Sequence, residues 1–265
     1  MTSAIHLLLL AWVAAAGVMA LLWLLHFPLR NAAIVDFGWA FVLPSIAILY
    51  ALMGGGYGPR RWLLAGMASV WGYRLAFYLL LTRILGHKEE GRYTELRRSW
   101  ETRVAAKFLL FFQGQALLDV LLSLPFLIAA LDARPALGWN EYAGAGLWAM
   151  AFLGEATADA QLQGFKSNSA NKGKTCRVGL WNYSRHPNYF FEWLIWVAYA
   201  LYAWASPWGW LALLCPALML FFLFRITGIP ATEAQALRTR GEEYRGYQQT
   251  TSAFLPWFPK APKAG

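Results

Sequence analysis

Residues 179–193, GLWNYSRHPNYFFEW, set a cation, an imidazole, an amide and a carboxylate among aromatic rings. Arg185 offers a planar fork of donors suited to phosphate or carboxylate. His186 is the side chain whose charge changes nearest neutral pH. Pro187 suits a first helical position. A helix starting there puts Asn188 and Glu192, four residues apart, on one face, with Tyr189 beside them. The free N–H groups of its first turn are a ready anion site. Such a set can hold a polar, anionic ligand. Immediately downstream runs LIWVAYALYAW, which is fit for lipid, so the polar set stands at a membrane threshold. Charge there is costly and calls for a partner or a ligand.

Other ionisable residues fall inside apolar stretches: Asp36, Arg74, Asp119, Glu155, Asp159, Glu192 and Arg225. Glu155 and Asp159 are four apart and share a helix face. Internal ion pairs are one explanation, with Asp36–Arg74 or Asp119–Arg74 as staples. Taken as a set, and joined by three basic segments, these charges favour a cavity for a charged ligand. The segment KSNSANKGKTCRVG carries Lys166, Asn168, Lys174 and Arg177, donors of the type that phosphate needs; simple topological charge is the alternative. The segment 231–258 alternates Glu and Arg and ends in aromatics. It reads either as a surface helix laced by salt bridges or as a lid presenting Glu233, Arg240 and Tyr244 to a ligand.

Some chemistry is excluded by residue type. The four histidines, His6, His26, His87 and His186, are dispersed, so no metal cluster is expected. Cys176 and Cys215 make neither a disulfide framework nor a zinc pattern. GGGYGPR lacks the strand–helix context of a dinucleotide loop and reads as a turn. No serine nucleophile elbow occurs.

The elements that must position these residues are membrane helices. The 265-residue chain is 58% hydrophobic and only 14% charged, against roughly a quarter charged in soluble domains. Continuous apolar runs long enough for a ~30 Å hydrocarbon core recur along it. The pattern predicts an all-α polytopic protein with seven spans, at 4–25, 31–53, 60–83, 105–131, 140–165, 188–204 and 207–228. The first lacks a basic leader and is too long for a signal-peptide core. The final KAPKAG reads as a loose tail.

Of the 23 Lys and Arg, 19 fall after spans 1, 3, 5 and 7, and only Arg60, Arg61 and Arg134 on the other side. The positive-inside rule then puts the N-terminus outside and the C-terminus in the cytosol. The net charge of +9 is topological and implies no nucleic acid. The long polar segments 84–104, 166–187 and 229–265 all face the cytosol, so a water-soluble partner arrives from there.

RHPNYFFEW, followed by Glu233 and then GEEYRGY…PWF, resembles the C-terminal half of the steroid 5α-reductase family, seven-span membrane reductases that use NADPH. The resemblance is strong over about 155–258 and weak over 1–150. It implies one integral membrane domain over 1–265, with substrate-side helices in 1–150 and a cofactor-binding half in 151–258. It also implies a bacterial inner-membrane location and a monomer.

Carried over residue by residue, the family's cofactor contacts fall on Asp159, Lys166, Gly179, Leu180, Trp181, Tyr183, Asn188, Glu192 and Tyr244. Arg74, Glu155, Asn168, Lys174, Arg177, Arg185, His186, Tyr189, Arg225, Glu233 and Arg240 are further candidates around them. The family's substrate-holding Gln-Glu and Tyr are absent: Phe41, Val42 and Trp71 stand in those places. Asp36, Tyr73 and Tyr78 are the candidate proton donors instead.

The activity implied is hydride transfer from NADPH, taken from the cytosol, to an enone lipid such as a 3-oxo-Δ4-steroid, entering from the bilayer. A proton donor on the carbonyl oxygen would draw electron density from the alkene. The R-H-P signature also occurs in sterol double-bond reductases and in isoprenylcysteine carboxyl methyltransferases. An S-adenosylmethionine enzyme is therefore the alternative, disfavoured because a cofactor without phosphate does not need the basic loop 166–177.

Overall fold

The computed structural model describes residues 3–89, 91–226 and 228–261. The end of the tail, 262–265, lies outside them. Among the described residues there is no strand. The helices are α1 (Ala4–Leu29), α2 (Ile34–Met53), α3 (Gly58–Leu79), α4 (Gly91–Trp100), α5 (Val104–Leu122), α6 (Leu124–Leu131), α7 (Trp139–Ser167), α8 (Pro187–Ala203), α9 (Leu214–Arg225), α10 (Ile229–Arg240) and α11 (Glu242–Thr250).

Five helical stretches are long and apolar enough to cross a membrane: Ala4–Leu29, Ile34–Met53, Gly58–Ile84, Val104–Leu131 and Gly209–Arg240. They cover five of the expected spans. The other two expected spans fall on α7, which carries Glu141, Glu155, Asp159 and Lys166, and on α8, which has only 17 residues. One face of α1 (Leu7, Ala11, Met19 and Leu22) is buried, while Leu9, Trp12, Val13, Leu21 and Leu24 are exposed. Such a surface is stable only in a lipid-like solvent.

The chain divides into two compact units, residues 1–142 with 201–212, and residues 143–200 with 213–265. In the first, α1 packs antiparallel on α5. The Trp23 indole N–H donates to Ala105 O at 3.0 Å and the Gln113 amide to Ala16 O at 3.2 Å. α2 packs on α3, and the approach is closest at Gly72, where a Cβ would sit 2.8 Å from the Pro44 ring. α3 ends in one π turn, Leu80–Ile84.

One end of this unit is closed by charges that sequence reading left in tight turns. Arg60 is fully buried. Its Nε donates to Glu141 Oε1 at 2.8 Å, and its Nη1 to the carbonyls of Asp132 and Arg134 at 3.1 and 2.8 Å. Arg134 and Ser206 donate to the Asp132 carboxylate. Asn140 donates to Tyr202 O, and Tyr202 OH to Arg60 O. Each oxygen of the Asp132 and Glu141 carboxylates thus accepts at least one hydrogen bond, which is what a buried ion cluster requires.

The opposite end holds Asp36, which does not pair with Arg74. Arg92 and the Tyr93 hydroxyl of α4 take its two oxygens instead. Glu89 ties the same end by accepting from Ala32 N at 2.7 Å and twice from Arg97. Asp119, the other expected staple, is fully buried and neither carboxylate oxygen has a hydrogen-bond partner.

Candidate functional site

In the second unit α7 and α8 lie side by side. Helix α8 begins at Pro187, as the sequence predicts, and its second residue faces α7: Asn188 Nδ2 is 3.4 Å from Asp159 Oδ1. Asp159 and Glu155 are both buried one turn apart on α7, and Glu192 is half-buried one turn into α8. Asn188 and Asp159 therefore meet across the helix pair, with Glu155 and Glu192 each one turn away on their own helix, polar groups able to orient a ligand amide or hydroxyl.

The loop from the end of α7 to α8 is shaped by local hydrogen bonds. Asn168 caps the 3₁₀ turn Ser169–Asn171 by accepting from Ala170 N. Gly179 has φ +56°, and a Cβ there would strike the Gln161 side chain, whose Oε1 accepts from Leu180 N at 2.9 Å. Only glycine meets both demands cheaply. Trp181 is buried, with its indole N–H on Ala158 O at 2.9 Å. It is a loop anchor, and Tyr183 remains the exposed ring of this stretch, set edge-on to Phe258. Lys172, Lys174 and Arg177 are exposed on this loop, and Lys166 is exposed in the last turn of α7 that leads into it. Arg177 rests over the Tyr247 ring, 5.1 Å from its centroid.

Arg185, His186 and Glu233 are brought together, and they engage one another. Arg185 Nε donates to Glu233 Oε1 at 2.7 Å, His186 Nε2 lies 3.3 Å from the same oxygen, and Gln248 donates to Oε2 at 2.8 Å. The rest of the Arg185 guanidinium donates to the carbonyls of Gln248 and Thr251.

The tail after α11 then runs along this stretch. Arg185 N donates to Ser252 O, Ser184 Oγ to Phe254 O, and Trp257 N to Tyr183 O. The buried Tyr247 hydroxyl donates to Trp181 O and Ser184 O. The His186 ring stacks on Tyr189, whose hydroxyl is 3.3 Å from Thr232 Oγ1. The R-H dipeptide at the membrane threshold is thus compensated by a clamp on the C-terminal segment.

Tyr244 is buried beside Tyr247 under Arg240, and burial pushes its phenol up to about 12. Arg225 is exposed at the end of α9. Thr175 bonds the Glu243 carboxylate through its amide and hydroxyl, which buries Cys176 and raises its thiol by desolvation. A cleft of about 330 Å³ follows the tail, lined by residues from Gln248 to Lys260. It includes none of the expected ligand residues.

The proton-donor candidates and Arg74 are in the first unit. Tyr73 and the half-buried Arg74 are consecutive on α3. Tyr73 OH is 3.1 Å from Ser45 Oγ of α2, and Ser45 donates to Phe41 O at 2.8 Å. Phe37, Phe41, Trp39 and Tyr78 pack around Ala40, Ala76 and Leu79, an aromatic surface of the type that receives flat apolar molecules. Ser45 and Arg92 were missed from sequence. Their only signal was a hydroxyl or a cation at a spacing that becomes meaningful once α2 is set against α3 and α4.

The residues present fit a phosphate-bearing nucleotide on chemical grounds: exposed cations on one loop, and amide and carboxylate groups on the helix pair that follows it. They do not fit a metal, for no cluster of three or more His, Cys, Asp or Glu exists among the described residues. No curated protein and no solved structure matches the chain. Over residues 22–251 it matches the family described as Protein of unknown function (DUF1295), and it belongs to that family.

Proposed function

We propose that this chain is a seven-span, monomeric reductase of the bacterial inner membrane, N-terminus outside and C-terminus cytosolic, that uses NADPH to reduce the C=C bond of an enone lipid, most simply a 3-oxo-Δ4-steroid. The observation that carries the reading is the α7–α8 pair, where Asp159 meets Asn188 directly beside the exposed cations of 166–177. The family is also associated with steroid 5α-reductase-like membrane proteins.

NADPH, when bound, supplies the hydride for the alkene carbon β to the carbonyl. Lys174 and Arg177 would hold the 2′-phosphate and Lys166 the diphosphate by charge-assisted hydrogen bonds, with Asn168 beside them. Asn188, Asp159, Glu155 and Glu192 would orient the polar ring end, with Arg225 as a further cation. The clamp of Arg185, His186, Glu233 and Tyr244 keeps the tail in place and acts on the ligand only through Tyr183 and the loop.

Tyr73 is the proton donor. Ser45 has one proton and gives it to Phe41 O, so the hydroxyl proton between the pair belongs to Tyr73. When a ketone arrives, Ser45 can turn its proton to Tyr73 Oη and free the Tyr73 O–H for the carbonyl oxygen. Asp36, with both oxygens engaged, is left to position α4. The resulting enol takes a proton from water at the α-carbon and returns the oxygen's proton to Tyr73, so one hydride and one proton add across the alkene, a two-electron reduction.

Thermal shift of the detergent-purified protein with NADPH, NADH and S-adenosylmethionine tests the reading. A ligand at 100 times its Kd stabilises by about 2.7 kcal/mol. Selective stabilisation by NADPH supports it, and selective stabilisation by S-adenosylmethionine replaces it with methyl transfer.

A further inference from the structure

A second cleft, of about 190 Å³, opens at the C-terminal end of α1 and is lined by His26, Phe27, Arg30 and Arg97. Its floor is unusual. His26 is only 1% exposed and is enclosed by Phe27, Phe108 and Phe112, with ring centroids at 4.0, 5.6 and 5.9 Å. Its Nδ1 faces Trp23 O, which can only accept, so Nδ1 carries the proton. Its Nε2 is buried and has no hydrogen-bond partner. Orphaned polar atoms of this kind are rare and ask for a ligand.

Around it stand two guanidinium groups. Arg30 is exposed and caps α1 in the left-handed region, φ 51°, where glycine or asparagine is the usual choice. Arg97 is fixed by two hydrogen bonds to Glu89 and by the Phe108 face 4.6 Å away. The cleft also has an apolar approach, because Leu24, Leu25, Phe27 and Leu29 are exposed on the last turns of the same helix. Cations and a buried ring nitrogen at one end, and bare aliphatic surface leading away from it, match a molecule with an anionic head and acyl chains.

We propose that this cleft binds the phosphate of an anionic membrane phospholipid, with Arg30 and Arg97 on the phosphate oxygens, His26 Nε2 hydrogen-bonded to the headgroup, and the acyl chains along α1. The inference stands whether or not the chain is a reductase.

The experiment is thermal shift of the full chain in detergent, titrated with dioleoylphosphatidylglycerol or dioleoylphosphatidylcholine. Phosphatidylglycerol is expected to raise Tm more than phosphatidylcholine. Arg30→Gln should raise the apparent Kd from the phosphatidylglycerol titration about tenfold, the loss of one charge-assisted hydrogen bond. Arg98→Gln removes an equal charge from the same helix as Arg97 without touching the cleft, and should keep the wild-type response. His26→Gln should weaken the response; if that buried variant fails to fold, Arg30→Gln decides alone. Equal responses to the two lipids, or equal losses in Arg30→Gln and Arg98→Gln, would overturn the proposal. A selective shift reproduced by inorganic phosphate alone would overturn the lipid as its source.

Discussion

Glu233 lies 2.7 Å from Arg185 across 48 residues of sequence, and their side chains are only 15% and 10% exposed. One carboxylate thereby anchors α10 to Arg185, two residues before α8, while the same arginine holds the carbonyls of Gln248 and Thr251. Glu233→Gln should leave Arg185 poorly compensated and cost ~2–4 kcal/mol, somewhat below a fully buried pair. The tail should loosen with it. Chymotryptic cleavage after Trp257 should accelerate, and Cys176 should become open to alkylation. Arg185→Lys keeps the charge but loses the fork, and should fall between. An unchanged Tm with unchanged cleavage would show that the clamp contributes nothing.

The exposed loop predicts cofactor preference. Lys174→Ala together with Arg177→Ala should raise the Kd for NADPH by roughly tenfold or more, since each hydrogen bond to a charged group contributes about 1.5–3 kcal/mol. The Kd for NADH should change much less. Fluorescence titration of both nucleotides reads this directly. A parallel loss for the two would move the 2′-phosphate elsewhere.

Ser45 and Tyr73 predict an asymmetric pair of variants. Tyr73→Phe removes the proton donor and should lower kcat by 10²–10⁴, the usual range for general acid catalysis. Ser45→Ala removes only the relay and should lower kcat less, with KM nearly unchanged. Both should fold, because Tyr73→Phe loses one hydrogen bond and Ser45→Ala two, each of about 1 kcal/mol. The measurement is single-turnover NADPH oxidation with an enone. Full activity in Tyr73→Phe would dismiss it as the donor.

Much of this was legible because hydropathy and helical spacing act locally. The span starting at Pro187, the four-residue spacing of Glu155 and Asp159, and the polar helices after 228 are all readable from one segment at a time. Pairings were not. Asp36 takes Arg92 and Tyr93 from a separate helix, and no spacing rule reports which of several arginines reaches it. The aromatic ending PWF was legible as an anchor, but its hydrogen bonding to residues 183–185 depends on how α10 and α11 turn. Arg60 and Glu141 are 81 residues apart, each at the very start of an expected span, and only the packing of unit one pairs and buries them.

That buried cluster gives the sharpest stability prediction. Arg60 and Glu141 side chains are both fully buried, and Asp132 nearly so. Arg60→Met leaves two carboxylates without their central cation and should destabilise the protein by ~3–5 kcal/mol. Burial alone would raise the Asp132 carboxyl, but hydrogen bonds from Arg134 and Ser206 and the charge of Arg60 hold it below its usual value. A carboxyl depressed in the folded state contributes stability above its unfolded pKa, ~3.9, and loses it as pH falls below that toward the folded value. Tm should therefore hold through neutral pH and drop below pH ~4 in the wild type. Asp132→Asn should start lower at neutral pH and lose less on acidification, because the group that titrates is gone. Differential scanning fluorimetry of the two proteins across that range decides the point, and parallel curves would mean that acid acts on the fold through some other carboxylate.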